Sequence, residues 1–107
     1  MTDEKAVVTW SVSGLPPAYV EQRWRAEVPA SLRPPLDVQL DRSRFFELPA
    51  NAGSNPDARD AGTYVITVAV GARTHTVTFS DAGISQELAD LKNWIRENLG
   101  PLATQER

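Results

Sequence analysis

The 107-residue sequence contains no cysteine and a single histidine, His75. Without cysteine, the chain cannot form a disulfide bond, a thiolate metal site or a thiol nucleophile. With one histidine, a single copy cannot build a zinc site from several histidines. These absences remove the commonest metal-binding and covalent-catalysis chemistries, and we expect neither a metal nor a cofactor.

The sequence also lacks a long hydrophobic run and an excess of basic residues. No segment approaches the roughly 20 apolar residues of a membrane-spanning helix, and the charged start, Met-Thr-Asp-Glu-Lys, is unlike a signal peptide. The formal net charge is −3, whereas nucleic-acid-binding domains typically carry a clear basic excess. We therefore expect a cytoplasmic protein of bacterial type that binds neither membranes nor nucleic acids.

What is present is typical of a globular domain. Hydrophobic residues make up 41% of the chain and charged residues 23%, which suffices for a core without covalent or metal cross-links. The sequence shows no internal repeat, low-complexity tract or linker. We expect one domain over residues 1–107, with frayed ends at about 1–5 and 101–107.

Four segments predict β-strands because β-branched and aromatic residues dominate them. They cover residues 6–12, 20–28, 63–70 and 73–80. The second segment alternates apolar with charged residues, which is typical of an antiparallel strand with one buried and one solvated face. Gly71-Ala72, between the last two segments, predicts a tight hairpin turn.

The last predicted element is a helix near residues 85–98. Ser85 is a suitable N-cap residue, and apolar side chains follow it at helical spacing. We expect four of them to be buried against the sheet: Leu88, Leu91, Trp94 and Ile95. Gly100 followed by Pro101 predicts the end of the helix, with Gly100 as a left-handed cap.

Residues 29–40 are harder to assign because they contain three prolines. Pro34 and Pro35 argue against a long helix before residue 36, since proline disfavours the helical conformation in the residue before it. Three apolar residues then alternate with polar ones, a pattern that is compatible with a short strand: Leu36, Val38 and Leu40.

Residues 41–48 predict one or two helical turns, with Asp41 as the cap and Pro49 at the end. Turn-forming residues then predict a surface loop over residues 50–62. The combined pattern predicts an α+β fold: a four-stranded, mainly antiparallel sheet with the C-terminal helix and a short helical segment packed on one face.

The sequence shows no recognisable catalytic constellation. His75 lies in the middle of a predicted strand, which favours a structural role. Ser80, His75 and Asp81 are the residue types of a catalytic triad. However, neighbouring residues of a strand, such as Ser80 and Asp81, point to opposite faces, so these residues are not expected to form one. The carboxylates show no calcium-loop spacing. We therefore expect a small binding module and not an enzyme.

A proline-flanked apolar tip separates the first two predicted strands. It is formed by Ser13, Gly14, Leu15, Pro16 and Pro17. Gly14 allows a close backbone approach, and the two prolines stiffen the exit from the turn. Two interpretations remain open: Leu15 folds back onto the sheet as a core residue, or it is presented to a partner.

The second half of the sequence carries four motifs in a fixed order. They are FFELP at 45–49, Tyr-x-x-Thr-Val from Tyr64, GARTHTV at 71–77 and Leu-x-x-Leu-x-x-Trp at 88–94. In this order and spacing, residues 43–95 resemble the emfourin-like family, the small proteinaceous inhibitors of thermolysin-like metallopeptidases.

The resemblance implies that the chain inhibits a thermolysin-like zinc metallopeptidase by blocking the active-site cleft with an exposed loop. Enzymes of this kind favour a large apolar side chain beside the scissile bond, and Leu15 in the segment Ser13–Pro17 fits that requirement. Asn51 and Asp57, in the polar loop, are candidates for a secondary contact. The alternative is a non-inhibitory protein–protein interaction module with the same fold.

Overall fold

The computed structural model describes residues 5–13, 22–51, 63–80 and 84–106. The strands are β1 (Ala6–Ser13), β2 (Gln22–Glu27), β3 (Thr63–Val70), β4 (Arg73–Ser80) and β5 (Thr104–Glu106). The α-helices are α1 (Arg33–Ser43) and α2 (Gln86–Trp94). Short helical turns cover Ala30–Leu32, Phe45–Glu47 and Gly100–Leu102, and a π-helical turn, Ile95–Leu99, continues α2.

The five strands form one sheet in the order β4-β3-β1-β2-β5, and each neighbouring pair is antiparallel. The α+β class is therefore confirmed, but the prediction of four strands is one strand short. The fifth, β5, pairs with β2 through Arg23↔Glu106 and Arg25↔Thr104. Its three residues are Thr-Gln-Glu, which carry no apolar alternation from which a strand could be predicted.

One face of the sheet carries the core. Alternate residues on four strands are buried on that face, including Val8, Ala26, Ile66, Val68, Val77 and Phe79. The opposite face carries threonine, serine and arginine side chains, among them Thr67 and Thr76, whose hydroxyl oxygens lie 2.9 Å apart. This two-sided pattern confirms the antiparallel sheet with one solvated face that the alternation in the sequence predicted.

The predicted hairpin between β3 and β4 is present. The register pairs Val70 with Arg73, so Gly71 and Ala72 alone form the turn. Gly71 has a φ of 58°, a backbone conformation that glycine adopts without steric cost.

The predicted start of α2 is confirmed by its cap. The Ser85 hydroxyl accepts a hydrogen bond from the Leu88 N–H at 3.2 Å. Leu88, Leu91 and Ile95 are buried, whereas Trp94 is only partly buried against the core. At the other end, Gly100 has φ −52° and ψ −48°. The predicted left-handed cap is therefore wrong, because Gly100 instead begins another helical turn.

Residues 33–43 differ most from the sequence-based prediction. They form α1, and no strand is present at Leu36–Leu40. Pro34 and Pro35 lie in its first turn, where backbone N–H groups have no partner within the helix, so their missing donors cost little. Asp41 is in the last turn of α1 and not at its N-terminus. Leu36 and Leu40, one turn apart, are buried.

The predicted turn before Pro49 is present in shortened form as Phe45–Glu47, with Phe45 fully buried. An ion pair between Arg42 and Asp90, with 3.6 Å between Nη2 and Oδ2, joins α1 to α2. Within the described ranges, no helix is long and apolar enough to cross a membrane.

Candidate functional site

The strand register places the ends of several connections at one end of the sheet. Ser13 is aligned with Thr63, and Thr63 is aligned with Ser80. Gln22, the first residue of β2, is aligned with Val12 beside them. We call this end, defined by Ser13, Gln22, Thr63 and Ser80, the loop end. The segment that joins β1 to β2 leaves from it and returns to it.

The predicted contact segment, Ser13–Pro17, begins at the loop end. Ser13 is the last residue of β1 and therefore lies at this end. The other four residues of the segment, Gly14, Leu15, Pro16 and Pro17, lie outside the described residues, as does Asp57. The structure thus shows where the predicted contact segment begins, and the contact role of the segment stays a prediction.

Asn51 lies at the outer edge of β4. It forms a parallel bridge with Thr78, and the Thr78 N–H donates a hydrogen bond to the Ala50 carbonyl at 2.7 Å. Thr78 is two residues from Ser80 at the loop end. Three strand spacings separate Ser13 from this edge, about 14 Å in the hydrogen-bonding direction. The two predicted contact regions therefore begin near the same end of the molecule.

His75 has a structural partner. Its Nε2 lies 2.6 Å from the Leu48 carbonyl oxygen, and its ring packs edge-on against Phe45 with 5.6 Å between centroids. Because a carbonyl oxygen only accepts hydrogen bonds, Nε2 must carry the proton. The side chain is therefore not arranged as a base beside Ser80.

The Emfourin family model matches residues 25–96, about two thirds of the chain. The chain belongs to the Emfourin family. The matched range runs from within β2 into the π-helical turn, so it includes Asn51, Asp57 and His75 but not the segment Ser13–Pro17. No curated protein and no solved structure matches this family member significantly.

An ion pair lies at the opposite end of the sheet from the loop end. Lys5 Nζ lies 2.9 Å from Glu27 Oε1. The hydrogen bond and positive charge of Lys5 lower the pKa of the Glu27 carboxyl below its usual value, with a smaller contribution from Arg25. Both partners are largely exposed, so this ion pair adds little to stability.

The described part of this Emfourin member offers no metal centre. No group of three or more histidine, cysteine, aspartate or glutamate side chains there could hold an ion. The described part of the candidate site consists of the strand ends at the loop end and of Asn51, which is bridged to Thr78. Sequence reasoning missed that residues 48–51 run along the edge of β4; the only signal was the Leu-Pro step after the aromatic pair.

Proposed function

We propose that this chain inhibits a thermolysin-like zinc metallopeptidase by placing the segment Ser13–Pro17 in the active-site cleft. The observation that carries the proposal is the Emfourin match over residues 25–96, because family membership points to a metallopeptidase inhibitor. The thermolysin-like target, the cytoplasmic location and the contact residues belong to the proposal.

The fold supports the proposal through the rigidity of the loop end. β1 is hydrogen-bonded on both sides, by β2 and by β3, so Ser13 leaves from a central strand. A segment that leaves a rigid support loses less conformational entropy when it binds. Because proline fixes φ, we expect Pro16 and Pro17 to restrict the chain further and to disfavour the geometry that cleavage requires.

In the proposed mechanism the chain acts as a poor substrate. Leu15 fills the apolar pocket beside the scissile-bond position, and Gly14 lets the backbone approach the cleft. Inhibition is steric and uses no catalytic residue of the chain. Any ligand that it offers to the zinc ion of the peptidase is a backbone carbonyl or a carboxylate, since the segment contains neither histidine nor cysteine.

Replacing Leu15 with alanine tests the proposal. Leu15→Ala should weaken inhibition by about 1–3 kcal/mol, because a side chain that anchors an interface contributes this much. Its free energy of unfolding should stay nearly unchanged. The measurements are the inhibition constant against a thermolysin-like peptidase and urea denaturation of the free chain.

A matched control is Val38→Ala, since Val38 is an exposed apolar residue on α1, 55% accessible. Its neighbours on α1, Asp37 and Leu40, line a groove with Val70 and Arg73 at the end of the sheet opposite the loop end. Val38→Ala should leave inhibition unchanged. If Leu15→Ala lowers stability and leaves inhibition intact, then Leu15 is a core residue and the contact surface lies elsewhere.

The limits of the family match favour one alternative, a non-inhibitory interaction module with the same fold. The matched residues, 25–96, do not include the segment on which inhibition is proposed to depend. Residual activity of a thermolysin-like peptidase, measured with a molar excess of the purified chain, separates the two functions. An inhibitor abolishes the activity, whereas an interaction module leaves it unchanged.

A further inference from the structure

We propose that His75 is a positioning residue that clamps residues 48–51 to the edge of β4 and so fixes where Asn51 is presented to the peptidase. The clamp itself is a property of the free chain. Its connection to inhibition rests on the proposed function, in which Asn51 makes a secondary contact.

Two hydrogen bonds attach this segment to β4. The first joins the His75 side chain to the Leu48 carbonyl at 2.6 Å. The second joins the Thr78 N–H to the Ala50 carbonyl at 2.7 Å, next to the parallel bridge at Asn51. His75 and Thr78 are three residues apart, about 10 Å along the strand. Residues 48–51 are thus held to β4 at two carbonyls. The Leu48 carbonyl is bonded to a side chain, and the Ala50 carbonyl is bonded to a backbone N–H.

In the first hydrogen bond the segment contributes the acceptor, the Leu48 carbonyl. The next residue, Pro49, has no N–H and cannot donate a hydrogen bond. The Leu48 N–H is already used by the Phe45 carbonyl at 3.2 Å. The His75 ring is therefore the donor that joins the Leu48 carbonyl to β4.

Aromatic packing holds the His75 ring in place. Phe45, which is fully buried, meets the imidazole edge-on at 84° between ring planes. Phe46 also lies beside the imidazole, with 6.4 Å between the centroids of the two rings. The Arg73 guanidinium lies 4.0 Å from the centre of the Phe46 ring. A ring confined in this way cannot follow a moving loop, so its hydrogen bond fixes the carbonyl of Leu48.

The Thr78 amide gives a local readout of the clamp. The Thr78 N–H points away from β3 and donates a hydrogen bond to the Ala50 carbonyl. The N–H groups of the neighbouring residues Val77 and Phe79 point the other way, toward β3. Loosening residues 48–51 should therefore speed hydrogen exchange at Thr78 and leave exchange at Val77 and Phe79 unchanged.

The test compares His75→Phe with His75→Gln. Phenylalanine keeps an aromatic ring but loses the donor, and exchange at Thr78 should rise about tenfold, as expected for the loss of one hydrogen bond. Glutamine can place an N–H near the position of Nε2 and should restore most of the protection. Thr76→Val is the matched control: it removes the Thr67–Thr76 hydrogen bond on the opposite face and should leave Thr78 unchanged.

Inhibition is measured on the same variants. His75→Phe should weaken inhibition of a thermolysin-like peptidase several-fold, and His75→Gln should recover it. The unmodified chain provides a further check that needs no variant: the ¹⁵N chemical shifts of His75 should show the proton on Nε2 when the ring is neutral. A proton on Nδ1 alone would overturn the clamp.

The other outcomes are equally decisive. Unchanged exchange at Thr78 in His75→Phe overturns the clamp, whatever inhibition does. Faster exchange with unchanged inhibition overturns the role of the clamp in presenting Asn51. If the unmodified chain does not inhibit the peptidase, the proposed function fails, and the clamp is then decided by exchange alone.

Discussion

At the scale of one residue, a substitution of Leu91 tests how α2 packs on the sheet. Leu91 lies in α2 and is fully buried, with no accessible surface. Leu91→Ala should lower the free energy of unfolding by about 2–5 kcal/mol, because it removes apolar contacts and leaves a cavity. Urea denaturation monitored by tryptophan fluorescence measures the change.

Leu102 supplies the control, since its side chain is 52% exposed. Leu102→Ala should cost much less than the core substitution, as surface changes usually do. A loss below about 1 kcal/mol for Leu91→Ala would contradict the packing of α2 on the sheet.

At the scale of one element, the end of α1 contains a local conflict between sequence and structure. Arg44 caps the helix with φ 52° and ψ 45°, the left-handed conformation. A residue with a Cβ atom is strained there, and glycine is the usual occupant. Arg44→Gly should therefore raise the free energy of unfolding by about 0.5–1 kcal/mol, after the greater entropy of glycine in the unfolded chain is subtracted.

A glycine inside the same helix should have the opposite effect. Val38 lies in the middle of α1 and is exposed, so Val38→Gly should lower stability through helix propensity and lost apolar contact. Thermal unfolding of both variants checks the pair. A destabilised Arg44→Gly variant would mean that the arginine side chain makes a contact that outweighs the strain of its backbone.

The elements also show what the sequence could predict. β3, β4, their turn and the cap of α2 follow from local patterns, because strand alternation, Gly71 and Ser85 each act on their immediate neighbours. α1 does not follow from its local pattern, because proline usually breaks a helix, whereas Pro34 and Pro35 lie in the first turn, where their missing N–H groups cost little. β5 was missed because its pairing depends on β2, about 80 residues earlier, and not on its own composition.

At the scale of the whole molecule, the candidate site was predicted only in part. The sequence predicts a polar loop and an apolar tip but not that both begin at the same end of the sheet. That placement comes from the register of Ser13, Thr63 and Ser80 across three strands. The attachment of Asn51 to β4 is likewise a long-range pairing, which no local pattern encodes.

The loop end gives a prediction about the fold and the contact surface together. Residues 52–62 connect Asn51, at the edge of β4, to the start of β3. The two ends are about 12 Å apart, from two strand spacings and a two-residue offset. Deleting residues 54–58 leaves six connecting residues, which reach about 23 Å when extended. The shortened chain can therefore close without moving either end.

Deletion of residues 54–58 should thus change the free energy of unfolding by less than about 1 kcal/mol, because loop-closure entropy varies slowly with length. It removes Asp57, so inhibition should weaken, but less than in Leu15→Ala, since this loop is proposed as the secondary contact. A control that replaces residues 54–58 with glycine and serine keeps the length and removes the side chains; it should weaken inhibition equally. Global unfolding of the deletion variant, seen by circular dichroism, would show instead that the loop holds the sheet together.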